Sequence, residues 1–260
     1  MDNRPIGIID SGVGGLSVVS SLLTILPHES FIYLADSKNT PYGNKSTEKI
    51  YSLTKKMVDF LLTKKIKLLV VACNTITITS ISRLRQNYPD LPIVGIVPVI
   101  KTAAERTKNQ KIGVFSTEVT AKSQYQKDLI DKFAMGYEVI SLGSVDLVEL
   151  IEKLDFKTID KVLKKELQIF KDKNIDTLAL GCSHFPLIQD RIQQTLPKVL
   201  ILNSADAVCR QIARILDNNK IASSINNSSY TFYTTGDFET INYFVKKLTN
   251  KGEIERISLQ

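Results

Sequence analysis

The sequence is short of the residues that hold extracellular and metal-dependent proteins together. Cysteine occurs three times in 260 residues, at Cys73, Cys182 and Cys209. That is too few, too far apart, for a disulfide framework or a zinc cluster, so reduced thiols are expected. Histidine occurs only twice, with no constellation at metal-ligand spacing and no evident lysine site for a pyridoxal cofactor. Neither metal nor cofactor is therefore expected. No apolar run approaches the roughly 20 residues of a membrane span. Met1-Asp2-Asn3-Arg4-Pro5 leads straight into a strand-like run, so the expectation is a cytoplasmic protein with no membrane partner.

Long basic runs are missing as well. Lys+Arg 34 against Asp+Glu 27 leaves a net charge of +7, but the lysines are scattered as doublets such as Lys55-Lys56, Lys64-Lys65, Lys164-Lys165 and Lys246-Lys247. None is interleaved with aromatic residues, which reads as solvated helix faces and not as a nucleic-acid surface. The positive balance favours an acidic small molecule as ligand. Hydrophobic content of 43% and charged content of 23% are those of an ordinary globular chain, long enough for one large or two ordinary domains.

What the sequence does contain is a succession of short apolar runs, each stopping at polar or acidic residues and followed by a helical pattern. Ile6-Gly7-Ile8-Ile9 stops at Asp10-Ser11-Gly12-Val13-Gly14-Gly15, before Leu16, Val19, Leu22, Leu23 and Leu26 at helical spacing. This glycine-rich turn admits two readings, an anion site at a helix amino terminus or a tight turn needing small residues. Its spacing matches neither the dinucleotide fingerprint nor the P-loop. Phe31–Ala35 closes on Asp36 and opens into a polar loop, 37–46, centred on Pro41-Tyr42-Gly43. A helix carrying Ile50, Leu53, Met57, Phe60 and Leu61 comes next. The strand ending at Cys73 leads to a helix that stops before Pro89, and strand 93–97 runs to Pro98.

The pattern then restarts. Strand 112–115 precedes a helix reaching about Phe133. Strand 138–142 and two helical stretches around 147–154 and 162–170 follow. The strand ending at Cys182 enters a helix with Pro186 in its first turn, and Val199–Leu202 reads as a last buried strand before a helix reaching Asn218. Polar residues 223–229 read as a flexible loop. Tyr230–Tyr233, a helix around Phe238–Leu248 and a tail at Ile254–Ile257 complete the chain, the tail free to rejoin the first half. Alternating strands and helices predict an α/β protein of two similar domains, each a mainly parallel sheet flanked by helices. The expected boundaries are 1–98 plus 206–260 for the first domain and 99–205 for the second.

Two stretches organise this pattern: Leu69-Val70-Val71-Ala72-Cys73-Asn74-Thr75 and Leu178-Ala179-Leu180-Gly181-Cys182-Ser183-His184. In each, an apolar strand delivers a thiol at its carboxyl end, where open α/β sheets bind ligands. A lone cysteine there admits a packing role, and Cys209, on the apolar stripe of Ala205, Val208, Ile212 and Leu216, is read as packing. For the other two, polar residues follow at once, and His184 lies two residues beyond Cys182, where it can hold the thiol in its required state. His28, after Pro27 in a polar turn, reads as surface. Opposed thiols permit one chemistry directly: a thiolate removes a proton from carbon while a thiol delivers one to the opposite face. The weakly acidic α-proton of an amino acid would need oriented donors to stabilise developing charge, and Ser11, Asn74, Thr75, Thr117 and Ser183 stand at strand ends.

Taken together, Ile8-Ile9-Asp10-Ser11-Gly12-Val13-Gly14-Gly15-Leu16, Ala35-Asp36 through Pro41-Tyr42-Gly43, Ala72-Cys73-Asn74-Thr75 and Gly181-Cys182-Ser183-His184-Phe185-Pro186-Leu187 resemble the glutamate racemase family. The resemblance extends through Phe232-Tyr233-Thr234-Thr235-Gly236-Asp237. It implies a cofactor-independent racemase making D-glutamate for bacterial peptidoglycan, with two α/β domains related by pseudo-two-fold symmetry and the active site in the cleft between them. It further implies Cys73 as the base acting on D-glutamate, assisted by Asp10, and Cys182 as the base acting on L-glutamate, assisted by His184. Substrate would be held by Ser11, Pro41, Tyr42, Gly43, Asn74, Thr75, Thr117 and Ser183. Asp36 and Glu152 match further acidic positions as auxiliaries; for Glu152 a solvated helix-face carboxylate is the alternative. The family is often dimeric, so a homodimer is a further expectation. The chain departs from the family pattern at Ser183 and Phe185, in place of threonine and tyrosine, at Gly143-Ser144, in place of Cys-Pro, and at Asn203, in place of aspartate. Two other readings stay open at this point. One is a sibling racemase of aspartate or a hydantoin; the other is a non-catalytic protein binding an acidic ligand or DNA.

Overall fold

The computed structural model describes residues 1–224 and 227–259. Of the polar stretch 223–229, Ile225 and Asn226 lie outside the described residues. Its ends are anchored: Ser223 N donates to Glu29 Oε1 at 2.7 Å, and Ser228 Oγ to Pro27 O at 2.9 Å. The chain forms two compact units, Met1–Ile96 with Ala205–Gln260, and Val97–Ser204.

The elements follow in chain order. The first unit opens with β1 (Ile6–Asp10), α1 (Leu16–Ile25), β2 (Phe31–Ala35), α2 (Thr47–Thr63), β3 (Leu68–Val71), α3 (Asn74–Asn87) and β4 (Ile93–Gly95). The second unit comprises α4 (Ile100–Arg106), β5 (Lys111–Thr117), α5 (Glu118–Ala121), α6 (Gln124–Phe133), β6 (Glu138–Ser144), α7 (Leu147–Glu152), α8 (Phe156–Glu166), α9 (Gln168–Asp172), β7 (Thr177–Gly181), α10 (Gln189–Thr195) and β8 (Leu200–Leu202). The chain returns to the first unit with α11 (Ala205–Asn218), β9 (Tyr230–Thr234), α12 (Phe238–Leu248) and β10 (Glu253–Arg256). Among the described residues no helix is long and apolar enough to cross a membrane.

Both sheets are wholly parallel. The first has six strands in the order β10-β9-β2-β1-β3-β4, the second four in the order β6-β5-β7-β8. Numbered within its own unit, each sheet contains the same four-strand order, 2-1-3-4. In that doubly wound order the chain leaves the first and third strands toward opposite faces, and the crevice opened at their carboxyl ends is where ligands bind. In the first unit β1, β2 and β3 are buried at every position and apolar apart from the terminal Asp10 of β1, which is why they lack the alternation of a half-exposed strand.

Several sequence expectations need correction. The helix expected to run to Phe133 is broken: α5 ends at Ala121, and Ser123 caps α6 by accepting from Gln126 N at 3.2 Å. Helix α4, absent from the sequence reading, follows Pro98. Strand β4 is shorter than 93–97. After Cys182 comes a 3-10 turn, Phe185–Ile188, before α10, with Pro186 in its opening positions. Strand β8 is an edge strand with Leu200 exposed, not a buried one. Cys209 lies where expected, on the buried stripe of α11, its thiol donating to Val18 O at 3.7 Å. Burial pushes that thiol up to about 12, so it stays protonated and unreactive.

One ion pair at the amino end of the first sheet is fully enclosed. Lys67 Nζ lies 2.6 Å from Glu29 Oε2, their side chains 0% and 6% exposed. It also donates to Asp2 O at 2.7 Å and Ile221 O at 2.8 Å. Lys67→Met leaves Glu29 buried without its counter-charge, and urea unfolding is expected to show a loss of roughly 3–5 kcal/mol. Lys55→Ala, at the exposed Lys55–Asp59 pair, is expected to leave the unfolding midpoint nearly unchanged. Equal midpoints for the two variants would contradict this role for Lys67.

Candidate active site

The site residues of the first unit gather at the carboxyl ends of β1, β2 and β3. Pairing of Ile9 with Val71 brings the residues that follow them, Asp10-Ser11 and Ala72-Cys73, alongside one another. Ser11 Oγ lies 3.5 Å from Cys73 Sγ and 3.5 Å from Asp10 Oδ1, and all three residues are buried. The glycine-rich turn resolves in favour of the tight-turn reading. Gly12 N, which an anion would need, donates to Asp10 Oδ1 at 2.9 Å, and Gly12 O accepts from the Tyr33 hydroxyl at 2.6 Å. At Gly15 an added Cβ would sit 2.8 Å from Ala72 Cβ, so the turn packs directly on the strand that carries Cys73.

Cys73 is the N-cap of α3, a helix of 14 residues. The opening amides of that helix, at Asn74 and Thr75, favour negative charge on the sulfur and on any anion beside it. Asn74 Nδ2 is buried without a hydrogen-bond partner. A buried donor at this strand end is available to a ligand.

The loop 37–46 consists of two 3-10 turns, Ser37–Asn39 and Tyr42–Asn44, and ends at Ser46, the N-cap of α2. The Thr40–Pro41 peptide bond is cis. Tyr42 is buried and its hydroxyl donates to Asp36 Oδ2 at 2.6 Å. Burial, then the Asp36 carboxylate, push the phenol far above its ordinary value, so it remains a donor. With its hydroxyl committed to Asp36, the Pro41-Tyr42-Gly43 turn offers a ligand backbone amides at the start of a helical turn. Asp36 is thus a buried anchor for the loop.

In the second unit, pairing of Ser116 with Gly181 sets Thr117 beside Cys182 at the ends of β5 and β7. The Thr117 hydroxyl caps α5, accepting from Thr120 N at 3.4 Å and donating to Thr120 Oγ1 at 3.0 Å, so it must rotate to donate to a ligand. Ser183 and His184 are buried, and His184 Nε2 lies 2.7 Å from Glu152 Oε1 at the end of α7. Glu152 is therefore no solvated helix-face residue; its side chain is 9% exposed. Burial by itself pulls the His184 imidazole down, but interaction with Cys182 and with Glu152 outweighs it and lifts the group well above its ordinary 6.5. The imidazole that neighbours Cys182 is thus biased toward its protonated form by the sulfur and by Glu152.

The departures from the family pattern are absorbed by packing within this unit. Phe185, lacking a tyrosine's hydroxyl, is buried against Phe115 at 4.5 Å between centroids. Ser144 accepts from Leu147 N at 3.4 Å and donates to Glu166 Oε1 at 3.2 Å, and Asn203 Nδ2 donates to Gln189 Oε1 at 3.0 Å. Among the described residues no group of three or more His, Cys, Asp and Glu side chains is placed to hold a metal ion.

The sequence profile of the Asp/Glu/hydantoin racemase family matches residues 6–212. The chain belongs to that family. A glutamate racemase of Lactobacillus helveticus is 41% identical over 243 residues, 91% of this chain and 90% of the relative. Among solved structures, the glutamate racemase isoform RacE1 of Bacillus anthracis superposes with a TM-score of 0.88 at 31% identity, covering 100% of this chain and 99% of that one. The Escherichia coli glutamate racemase, solved in complex with L-glutamate and the activator UDP-MurNAc-Ala, gives a TM-score of 0.86 at 30% identity, with 99% of both chains covered. The chain is thus an isomerase of the racemase family, and these three relatives, each matched along nearly its whole length, are glutamate racemases.

In this racemase-family chain, then, one thiol is flanked by a carboxylate and a hydroxyl, the other by an imidazole paired with Glu152. Glu152→Gln is expected to bring the His184 titration, followed by imidazole NMR resonances, down toward its ordinary value. Because the folded-state value is raised, the stability contributed by the protonated His184 is complete below about 6.5 and is lost as pH rises through the raised value. The stability gap between parent and Glu152→Gln should therefore narrow toward alkaline pH. A titration unmoved by the substitution would remove Glu152 as a cause.

Proposed function

We propose that this chain is a glutamate racemase that interconverts L- and D-glutamate without a cofactor, Cys73 and Cys182 acting as bases on opposite faces of the substrate α-carbon. The observation that carries the reading is the repeated placement of the thiols. In each unit a buried cysteine stands within two residues of the end of the third strand of a 2-1-3-4 parallel sheet, at the switch point beside the first strand. Packing alone gives no reason for that coincidence in two units with different cores.

On this reading the Cys182 thiolate takes the α-proton of L-glutamate, and the carbanion receives the Cys73 thiol proton on its other face. D-glutamate leaves, and the two sulfurs have exchanged protonation states. In the reverse direction Cys73 is the base. Asp10 and Ser11 hold the Cys73 proton in place, whereas the protonated His184, oriented by Glu152, donates to the Cys182 sulfur and stabilises its thiolate. Asn74, Thr75, Ser183, Thr117 and the amides of the Pro41-Tyr42-Gly43 turn hold the substrate carboxylates and ammonium. Fixed donors around a site closed to water lower the cost of charge at carbon. The D-glutamate would serve bacterial peptidoglycan in the cytoplasm.

Purified protein incubated with L- or D-glutamate in D₂O, without added cofactor, is expected to lose optical rotation while incorporating α-deuterium. Cys73→Ser and Cys182→Ser are each expected to lower kcat by about 10²–10⁴-fold in both directions. Near-normal turnover in either variant would overturn the two-thiol assignment. Faster turnover of aspartate than of glutamate would overturn the substrate, and no exchange with either acid would overturn the reading as a whole.

A further inference from the structure

One carboxylate fastens the whole 37–46 loop. Asp36, 1% exposed, accepts from the Tyr42 hydroxyl at 2.6 Å, from Asn39 Nδ2 at 3.0 and 3.1 Å, and from the Thr235 hydroxyl at 2.6 Å. Asn39 and Tyr42 belong to the two successive 3-10 turns, so a single anion gathers both. Thr235 comes from elsewhere, 199 residues along the chain, at the carboxyl end of β9. The register Ala35 with Thr234 makes Asp36 and Thr235 neighbours.

Thr235 is tied to the same loop in other ways. Its hydroxyl accepts from Lys38 N at 3.1 Å, and its own N–H donates to Ala35 O at 3.0 Å. At Gly236 an added Cβ would lie 2.7 Å from Ser37 Cβ and 2.8 Å from Lys38 N, so only glycine lets this turn approach the loop so closely. Asp36 also reaches toward the thiol: its N–H donates to Asp10 O at 3.0 Å. A buried carboxylate has its direction set by its donors, and losing one lets the others rearrange. Of the three side chains on Asp36, Thr235 alone stands outside the loop, and so it provides the fixed reference.

Building on the function proposed above, we propose that Thr235 is a positioning residue for the racemisation. By orienting the Asp36 carboxylate it fixes the Pro41-Tyr42-Gly43 turn, so the carboxy-terminal segment governs substrate affinity.

Thr235→Ser and Thr235→Ala differ by one oxygen and make the decisive comparison. Thr235→Ala is expected to raise KM for glutamate roughly 10-fold or more, the order lost with one hydrogen bond to a charged group, with kcat changed less. Thr235→Ser is expected to stay within about twofold of the parent, since it keeps the hydroxyl. A merely structural threonine would lower the amount of folded enzyme and leave KM alone. Tyr42→Phe removes another donor from the same carboxylate, so the double variant Tyr42→Phe/Thr235→Ala is expected to lose less in kcat/KM than the product of the single losses. Should Thr235→Ala fail to fold, Thr235→Cys against Thr235→Ser gives the same test, sulfur replacing oxygen. An active parent with KM unmoved in the variant lacking the hydroxyl, or losses that multiply, overturns this inference alone. A parent inactive on both enantiomers overturns the functional reading and this inference with it.

Discussion

In-register pairing of parallel strands decides which side chains of this protein meet. Ile9 opposite Val71 sets Asp10 and Ser11 beside Cys73; Ser116 opposite Gly181 sets Thr117 beside Cys182; Ala35 opposite Thr234 sets Asp36 beside Thr235. Because the side-chain period of a strand is two, a slip of one residue in any of these pairs would turn the buried set over and carry the polar tip away from its partner. The apolar strands are buried on both faces and have no wrong face to expose, so their register must be held at the ends. Contacts such as Gly15 against Ala72 and Gly236 against Ser37 tolerate no displacement there. The packing that stabilises the sheets is thus the same packing that assembles the polar groups.

The two thiols sit in equivalent topological positions but are surrounded differently. After Cys73 the chain enters a helix of 14 residues at once, and the aligned peptide dipoles of a long helix place a fractional positive charge at its start. After Cys182 it enters a four-residue 3-10 turn, whose dipole is much weaker. There a buried histidine stands beside the sulfur, its imidazole raised above its ordinary value by the sulfur and by Glu152, which lies 2.7 Å from it. The first unit instead carries a carboxylate, Asp10, next to its thiol, and its long helix offsets that charge. One backbone plan therefore surrounds its cysteine in two ways, and the acid in each unit has a different partner: the hydroxyl of Ser11 beside Cys73, the imidazole of His184 beside Cys182.

The strands and their thiols were legible in the sequence because fully buried parallel strands are uninterrupted apolar runs. Cys209 was legible because its helix keeps a clean stripe. What escaped depended on short polar signals or on distance. The break between α5 and α6 was written in Ser123-Gln124-Tyr125-Gln126, a serine followed three residues later by glutamine, the pattern of a helix start. Helix α4 is only seven residues long, too short to show a period. Glu152 offered two readings because nothing local distinguishes a helix-end carboxylate facing water from one facing a histidine 32 residues later. Thr235 lies in Phe232-Tyr233-Thr234-Thr235-Gly236-Asp237, yet its bond to Asp36 joins residues 199 apart, and no local pattern could supply that partner.

The order of the first sheet gives that long-range bond its meaning. Strand β2 lies between β1 and β9 only because the chain, having built the second unit, returns to add β9 and β10. Were β9 absent, β2 would be an edge strand with a row of unpaired backbone groups, and Asp36 at its tip would lose the one donor that does not belong to its own loop. Tyr230 stacks on Phe31 at 4.6 Å and Phe232 meets the same ring edge-on at 5.6 Å, so the returning strand is held by aromatic contacts far from the site. The last part of the sequence carries neither thiol, yet it closes the sheet on which the loop beside the first thiol is mounted. An insertion of this kind makes the two ends of the chain interdependent: the strand order that covers the edge of β2 is also what delivers a hydroxyl to its carboxylate.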